Sequence, residues 1–230
     1  MNVQELRSRV DEVRERIEAA RARAGRADAV TLVAVTKTHP ADVVRAAIAA
    51  GVADVGENRV QEMDDKVAEI GRGAVRWHLI GHLQRNKAAR AVALADLIHS
   101  LDSLRLAQEL SREAVKAGVQ VNALVQVNTS REASKFGLPA GEALRAAAAM
   151  AVLPGLRLRG MMTMAPFTDD EAVVRRTFAA ARLLCEDAAR QIPGFGRELS
   201  MGMSNDYEAA VEEGSTLVRV GSTLFGDRGT

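Results

Sequence analysis

Lys37 closes the run Val30-Thr-Leu-Val-Ala-Val-Thr36 and is followed by Thr38-His39-Pro40. A stretch so rich in apolar and β-branched residues, bounded by a proline and too short for a typical helix, reads as a buried strand of a parallel sheet. Lysine is among the residues least often buried, so its place where the strand emerges calls for a reason. In a partly dry site its amine is a nucleophile that forms a Schiff base with a carbonyl. The plainer alternative is a lysine whose stem lies on apolar surface with its ammonium in water.

Two segments near the C-terminus offer partners for such a lysine. In Ser200-Met-Gly-Met-Ser204, Ser204 fits the N-cap of a helix over 205–213 that stops at Gly214. A hydroxyl at a helix start, beside free backbone N–H groups, suits an anion; a simple capped helix is the alternative. In Val218-Arg-Val-Gly-Ser222, Gly221 lets the backbone approach a ligand closely, and Ser222 adds a hydroxyl and an N–H. Arg219 is a charge inside an apolar strand, so it needs either a core carboxylate or a ligand. A lysine for an aldehyde, a site for a phosphate and an arginine near both fit pyridoxal 5′-phosphate (PLP), with Lys37 as the aldimine lysine. Arginine facing the pyridine nitrogen would leave that nitrogen unprotonated and the ring a poor electron sink, which disfavours transaminase-like chemistry.

These residues need a scaffold, and the pattern of the chain supplies one. Residues 3–24 read as an amphipathic helix with Val3, Leu6, Val10, Val13 and Ile17 on one face. Strands follow near 30–36, 53–55, 75–80, 96–99, 121–127, 156–161, 198–201 and 216–220. Helices alternate with them near 41–50, 59–70, 85–94, 103–117, 140–151, 170–190 and 205–213. Eight strands alternating with helices and no linker predict a single α/β domain over residues 1–230, a (β/α)8 TIM-type barrel with an extra N-terminal helix. An open doubly wound sheet is the competing architecture. In a barrel, sites lie at the C-terminal strand ends and phosphate is often held after strands seven and eight, where Ser204, Gly221 and Ser222 fall.

Composition narrows the function classes. The 230 residues carry 31 basic and 30 acidic side chains, a net charge of +1, so no broad field draws nucleic acid or an anionic membrane. Aromatics are only 3%, too few for a base-stacking platform. No apolar run reaches the ~18 residues of a membrane span, and no secretory leader is evident, so a cytoplasmic protein is expected. The lone Cys185 lies in a helical pattern without a catalytic cysteine signature.

Several segments together resemble the YggS/PROSC-type pyridoxal phosphate homeostasis proteins, which share a barrel with the N-terminal domain of bacterial alanine racemases. They are Val33-Ala-Val-Thr-Lys-Thr38, Gly56-Glu-Asn-Arg59, Trp77-His-Leu-Ile-Gly-His-Leu-Gln-Arg-Asn-Lys87, Ser134-Lys-Phe-Gly137, Leu158-Arg-Gly-Met161, Leu199-Ser-Met-Gly-Met-Ser204 and Val218-Arg-Val-Gly221. The resemblance covers nearly the whole chain, and its most specific part is Trp77–Lys87. It implies that Lys37 is the aldimine lysine, that Ser204, Gly221 and Ser222 hold the phosphate, and that Arg219 faces the ring nitrogen. Met203 would lie beside the phosphate serine and Asn58 near the ring. This chain departs from the family pattern at His39, where a second lysine is frequent, and at Leu79, where phenylalanine is common.

His78 and His82, four apart, invite a metal reading, but no carboxylate or cysteine completes a set in sequence, and no metal is expected. Lys135 falls in the loop after strand five as a lid or partner contact, or as plain surface. Two functions remain open from sequence. One is a non-catalytic carrier or buffer of PLP in vitamin B6 homeostasis, a monomer that passes the cofactor to apo PLP-dependent enzymes. The other is a racemase-type enzyme of low activity, which needs a second acid/base on the far side of its substrate. Alanine racemases supply a tyrosine there together with a C-terminal β-domain. The sequence reaches only Thr230, and its one tyrosine, Tyr207, reads as a helix residue beside the phosphate loop. A Schiff-base aldolase is a weaker third reading.

Overall fold

The computed structural model describes residues 2–129 and 136–226. Eight strands, β1 (Thr31–Val35), β2 (Asp54–Glu57), β3 (Arg76–Leu79), β4 (Leu97–Leu101), β5 (Val121–Asn128), β6 (Leu156–Met162), β7 (Glu198–Met203) and β8 (Leu217–Val220), pair in parallel, each with the next. β8 returns to β1, with Val33 opposite Arg219 and Ala34 opposite Val220, and this closes the barrel. Every strand expected from sequence is present, and the closure decides against an open sheet.

The period-two alternation of each strand sorts side chains to two sides. On β1, Leu32 and Ala34 join the large core shared with the helices, whereas Val33 joins a separate apolar group of Leu97, Leu124, Met162 and Leu217. That second group comes from five strands and no helix, so it is the apolar part of the barrel interior. The rest of the interior is polar and includes the buried His78, His99, Ser200 and Arg219.

Helices α1 (Val3–Arg23), α2 (Ala41–Ala49), α3 (Val60–Ile70), α4 (Ala88–Leu94), α5 (Leu104–Ala117), α6 (Ala140–Ala151), α7 (Glu171–Gln191) and α8 (Tyr207–Glu212) ring the sheet, and a single turn, α9 (Ser222–Phe225), follows β8. α1 is the additional helix. Its buried stripe Leu6, Val10, Val13 and Ile17 packs against the helix layer, on α2, α8 and α9, and Arg16 and Arg23 pair with Glu208 and Glu212 of α8.

Three local differences from the sequence expectation have physical causes. The helix expected over 85–94 begins as a 3-10 turn, Arg85–Lys87, before α4. Leu138–Pro139 forms a two-residue extension beside β5, too short to leave a periodic signal. The helix expected over 205–213 starts only at Tyr207, because Asp206 takes the N-cap position and residues 204–206 form a turn. Gly214, at φ +104°, stops it as expected.

Candidate functional site

Lys37 lies two residues beyond the end of β1, half-buried, in a short loop anchored on both sides. On one side the carbonyl of Thr36 accepts from Lys66 Nζ at 2.8 Å. On the other, the Thr38 N–H donates to Glu62 Oε1. Lys66 Nζ is itself 2.6 Å from Glu57 Oε1 and 3.1 Å from Glu62 Oε1, and Glu57 also accepts from the Thr36 hydroxyl. Burial pushes the Glu57 carboxyl above its usual range, although the Lys66 charge and its hydrogen bond pull the other way. Thr38 sits at φ +68°, a conformation a β-branched residue adopts only when its surroundings impose it. The Glu57–Glu62–Lys66 cluster holds the backbone on both sides of Lys37, through the Thr36 carbonyl and the Thr38 N–H. Sequence reading missed this cluster; the spacing of Glu62 and Lys66 reads as an ordinary exposed helix pair.

The register of β1 on β8 carries the chain from Val220, opposite Ala34, to Gly221 beside Val35. A Cβ on Gly221 would stand 3.3 Å from the Val35 carbonyl oxygen, so the two strand ends run close together here. The Gly221 N–H donates to Ser204 Oγ at 3.2 Å, and the Thr223 N–H reaches the same oxygen at 3.5 Å. The loops after β7 and β8 thus meet at Ser204 as two N–H groups around one hydroxyl, with Ser222 exposed beside them. This corrects the expectation that Ser204 caps the following helix: Asp206 holds that position, and Ser204 turns to the Gly221 loop instead. Asp206 also receives the Met203 N–H at 2.6 Å, which leaves the Met203 side chain exposed at the end of β7.

Arg219 is buried, and its guanidinium donates to the Ser200 hydroxyl and, at 3.1 Å, to the Thr163 carbonyl. Among the described residues no carboxylate lies within ion-pair distance of it, so the core-carboxylate alternative does not hold. Burial pulls Arg219 down to about 10 against the opposing charge of Asp206, and it remains a cation at neutral pH. A buried cation held by only neutral groups has spare donor capacity for an acceptor.

Asn58 follows β2 directly, and its backbone and side-chain oxygens fill the space a Cβ on Gly81 would take, at 2.2 and 2.5 Å. Gly81 in the Trp77–Lys87 segment is therefore what lets the loops after β2 and β3 pack together. His78 and His82 of the same segment part company. His78 is buried in the barrel against Asp54 and His99, whereas His82 is 3.1 Å from Asp102 and stacks on Phe136. Among the described residues no group of three or more potential metal ligands exists. His39 packs its ring on Phe225, and Leu79 is fully buried in the outer core. Lys135 lies outside the described residues. No helix among them is long and apolar enough to cross a membrane.

Tyr207 does not face this rim. It is 2% exposed, packed in the outer core, with the Arg16 guanidinium of α1 over its ring at 5.4 Å. His99 and Ser200 are functional candidates the sequence reading passed over. A histidine within the apolar strand Leu97-Ile-His-Ser-Leu101 was the available signal, of the same kind as Arg219 in β8.

A closed parallel barrel with a lysine and a serine–glycine junction at one end, and a buried arginine beneath them, is what this chain brings to the alanine racemase N-terminal domain family. The chain belongs to that family, whose pattern matches residues 9–229. Within it, the chain is similar to the Escherichia coli K12 protein named pyridoxal phosphate homeostasis protein, 42% identical over 223 residues and 94% of each chain. The Pseudomonas aeruginosa PAO1 protein of the same name is 42% identical over 220 residues, 95% of this chain and 94% of that one. Among solved structures, PipY of Synechococcus elongatus PCC7942 with PLP bound superposes with a TM-score of 0.86 at 37% identity, over 96% of this chain and 100% of that one. An alanine racemase of Clostridium difficile 630 superposes at 0.78 with 15% identity, over 58% of its own length, a likeness of fold.

Proposed function

We propose that this chain binds pyridoxal 5′-phosphate through Lys37 and acts in intracellular PLP homeostasis, as a carrier or buffer of that reactive aldehyde. The observation that carries the reading is the convergence of the Lys37 loop with the Ser204–Gly221 junction on neighbouring strand ends, above a buried arginine that lacks a carboxylate partner among the described residues. The residues fit the group. Lys37 offers the amine; Ser204, Gly221 and Ser222 would hold the phosphate; Arg219 would face the ring nitrogen, with Asn58 and Met203 at the edges. When bound, PLP supplies an aldehyde that condenses with primary amines and a ring that accepts electron density. Arg219 moderates that chemistry, because a guanidinium donates to the ring nitrogen without giving up its proton. The Glu57–Glu62–Lys66 cluster holds the backbone on both sides of Lys37, and the tight approach at Gly221 keeps the phosphate end close to the barrel wall.

The names of the relatives and the PLP-bound structure of PipY support this reading. The alternative, a racemase-type enzyme of low activity, needs a second acid/base opposite the lysine. Tyr207, which that reading would use, is turned into the outer core under Arg16, and burial raises its phenol above the usual range. We place the protein in the cytoplasm as one barrel domain acting as a monomer, with apo PLP-dependent enzymes as recipients. Two measurements test the proposal: amino-acid racemisation by the loaded protein, and delivery of PLP from it to an apoenzyme. Delivery without racemisation is expected. Racemisation of a specific amino acid at an enzymatic rate, lost in Lys37→Ala, would overturn the carrier reading.

A further inference from the structure

A continuous polar chain crosses the barrel interior. Arg76 holds Asp54 with two hydrogen bonds, Nε to Oδ1 at 2.7 Å and Nη2 to Oδ2 at 2.6 Å. Asp54 Oδ1 is also 2.9 Å from His78 Nε2, and His78 Nδ1 is 2.9 Å from His99 Nε2. His99 Nδ1 is 2.8 Å from Ser200 Oγ, which accepts from Arg219. From Asp54 to Arg219 the strands β2, β3, β4, β7 and β8 each contribute one residue, Asp54, His78, His99, Ser200 and Arg219, and all five are buried; Arg76, also on β3, holds the Asp54 end.

The two ends decide the protons between them. Arg219 only donates and an ionised Asp54 only accepts. Burial pushes the Asp54 carboxyl up, but hydrogen bonds from His78 and Arg76 outweigh it, so it stays below its usual range and ionised. A neutral imidazole has one N–H. His78 must place its own on Nε2, toward Asp54, which makes its Nδ1 an acceptor. His99 then donates from Nε2, and its Nδ1 accepts the Ser200 hydroxyl proton. Ser200 in turn accepts from Arg219. Each link gives one hydrogen bond and takes one, and all donors point the same way.

The groups facing His99 are His78, Ser200 and Arg219, with the apolar Val33, Leu97, Leu124, Met162 and Leu217 in the same interior. No carboxylate among the described residues reaches it to stabilise an imidazolium. A proton on its Nδ1 would aim an N–H at the oxygen that already receives Arg219. Complete burial, with the positive charge of Arg219 nearby, holds it well below its usual range.

We propose that His78 and His99 are positioning residues for Arg219: both neutral and protonated on Nε2, they form a one-way relay from Arg219 through Ser200 to Asp54 that fixes the guanidinium and sets the environment of the PLP ring nitrogen. The second half of this proposal rests on the functional reading above; the first half does not.

The test uses the full chain, labelled with nitrogen-15, and long-range proton–nitrogen correlation of the imidazoles between about pH 6 and 8 without PLP. His78→Gln and His99→Gln assign the signals. A neutral Nε2–H ring is expected at both positions at neutral pH, and an Nδ1–H tautomer or an imidazolium at either one would overturn the relay. The second arm adds PLP to wild type, His99→Leu, His99→Gln and Ser200→Ala. Leucine cannot relay a hydrogen bond, whereas glutamine has both a donor and an acceptor. The leucine variant should shift the absorbance band and its pH profile and weaken retention about two- to tenfold, the size of one hydrogen bond's contribution. The glutamine variant should recover toward wild type. Ser200→Ala, a smaller volume change, should reproduce the shift if the leucine variant fails to fold. Wild-type spectra in every folded variant would overturn the coupling to Arg219. A wild-type protein that takes up no PLP would overturn the functional reading and the ring-nitrogen half of this proposal, while the nitrogen spectra would still decide the relay.

Discussion

Ser204 Oγ and the backbone nitrogen of Gly221 lie 3.2 Å apart, so the loops after β7 and β8 are joined by a hydrogen bond between two residues expected to hold a phosphate. Replacing both Ser204 and Ser222 by alanine removes two hydroxyls and keeps the backbone N–H groups. A hydrogen bond to a charged group contributes about 1.5–3 kcal/mol, so loss of one or both should weaken PLP retention by about ten- to a hundredfold or more. Lys37 would still be modified at high PLP concentration. Equilibrium titration followed by absorbance checks this, and undiminished affinity would place the phosphate elsewhere.

Arg219→Glu replaces a donor that cannot lose its proton by a carboxyl group. Beside a ring nitrogen it should change the bound cofactor's absorbance and its reactivity toward added amines, with Arg219→Gln as a milder variant for comparison. Circular dichroism controls for folding, because the side chain is buried. A folded variant with an unchanged spectrum would mean that Arg219 does not face the ring.

Lys66→Met leaves Glu57 buried without its cationic partner. Breaking such a pair from one side costs about 3–5 kcal/mol, whereas replacing both partners by apolar groups is close to neutral. Thermal denaturation should therefore show a large drop in Tm for Lys66→Met and partial recovery in Lys66→Met with Glu57→Leu. The single variant should also retain PLP less well, because the loop carrying Lys37 loses its anchor at the Thr36 carbonyl.

Asp54 has a folded-state pKa below its unfolded value, so its stabilisation is present above the unfolded value of about 3.9 and fades as pH falls through the lower folded one. Asp54→Asn should then be less stable than wild type by about 1–3 kcal/mol at pH 7. The gap should narrow in strong acid. Urea unfolding of both proteins at several pH values measures it, and a gap that widened on acidification would contradict the assignment.

Gly81→Ala places a methyl group 2.2 Å from the Asn58 carbonyl oxygen. The loops must separate, at a cost of about 1–3 kcal/mol typical of overpacking. If Asn58 borders the cofactor, PLP affinity falls together with Tm; a lower Tm with unchanged affinity would remove Asn58 from the site.

The strands and most of the helices were legible because a parallel barrel writes its buried strands as short apolar runs between amphipathic segments. Lys37 and Arg219 stood out as charges against that background. What escaped reading was what distance along the chain hides. His99 and Ser200 are 101 positions apart yet 2.8 Å from each other, and only barrel closure brings them together. Lys66 and Glu62 carry the spacing of a solvent-facing pair, and nothing local says that Glu57 draws the lysine inward. Ser204 and Asp206 both suit a helix cap, and the choice fell to Asp206 because the Gly221 loop engages the serine.

The central claim is that Lys37 is the PLP attachment point, and one measurement addresses it directly. The purified protein is mixed with PLP, its visible spectrum recorded, and the adduct reduced with borohydride and mapped by peptide mass. The account predicts a shifted aldehyde band and a reduced pyridoxyl group on the peptide containing Lys37, both absent in Lys37→Ala. No band, or a label confined to other lysines, would contradict it.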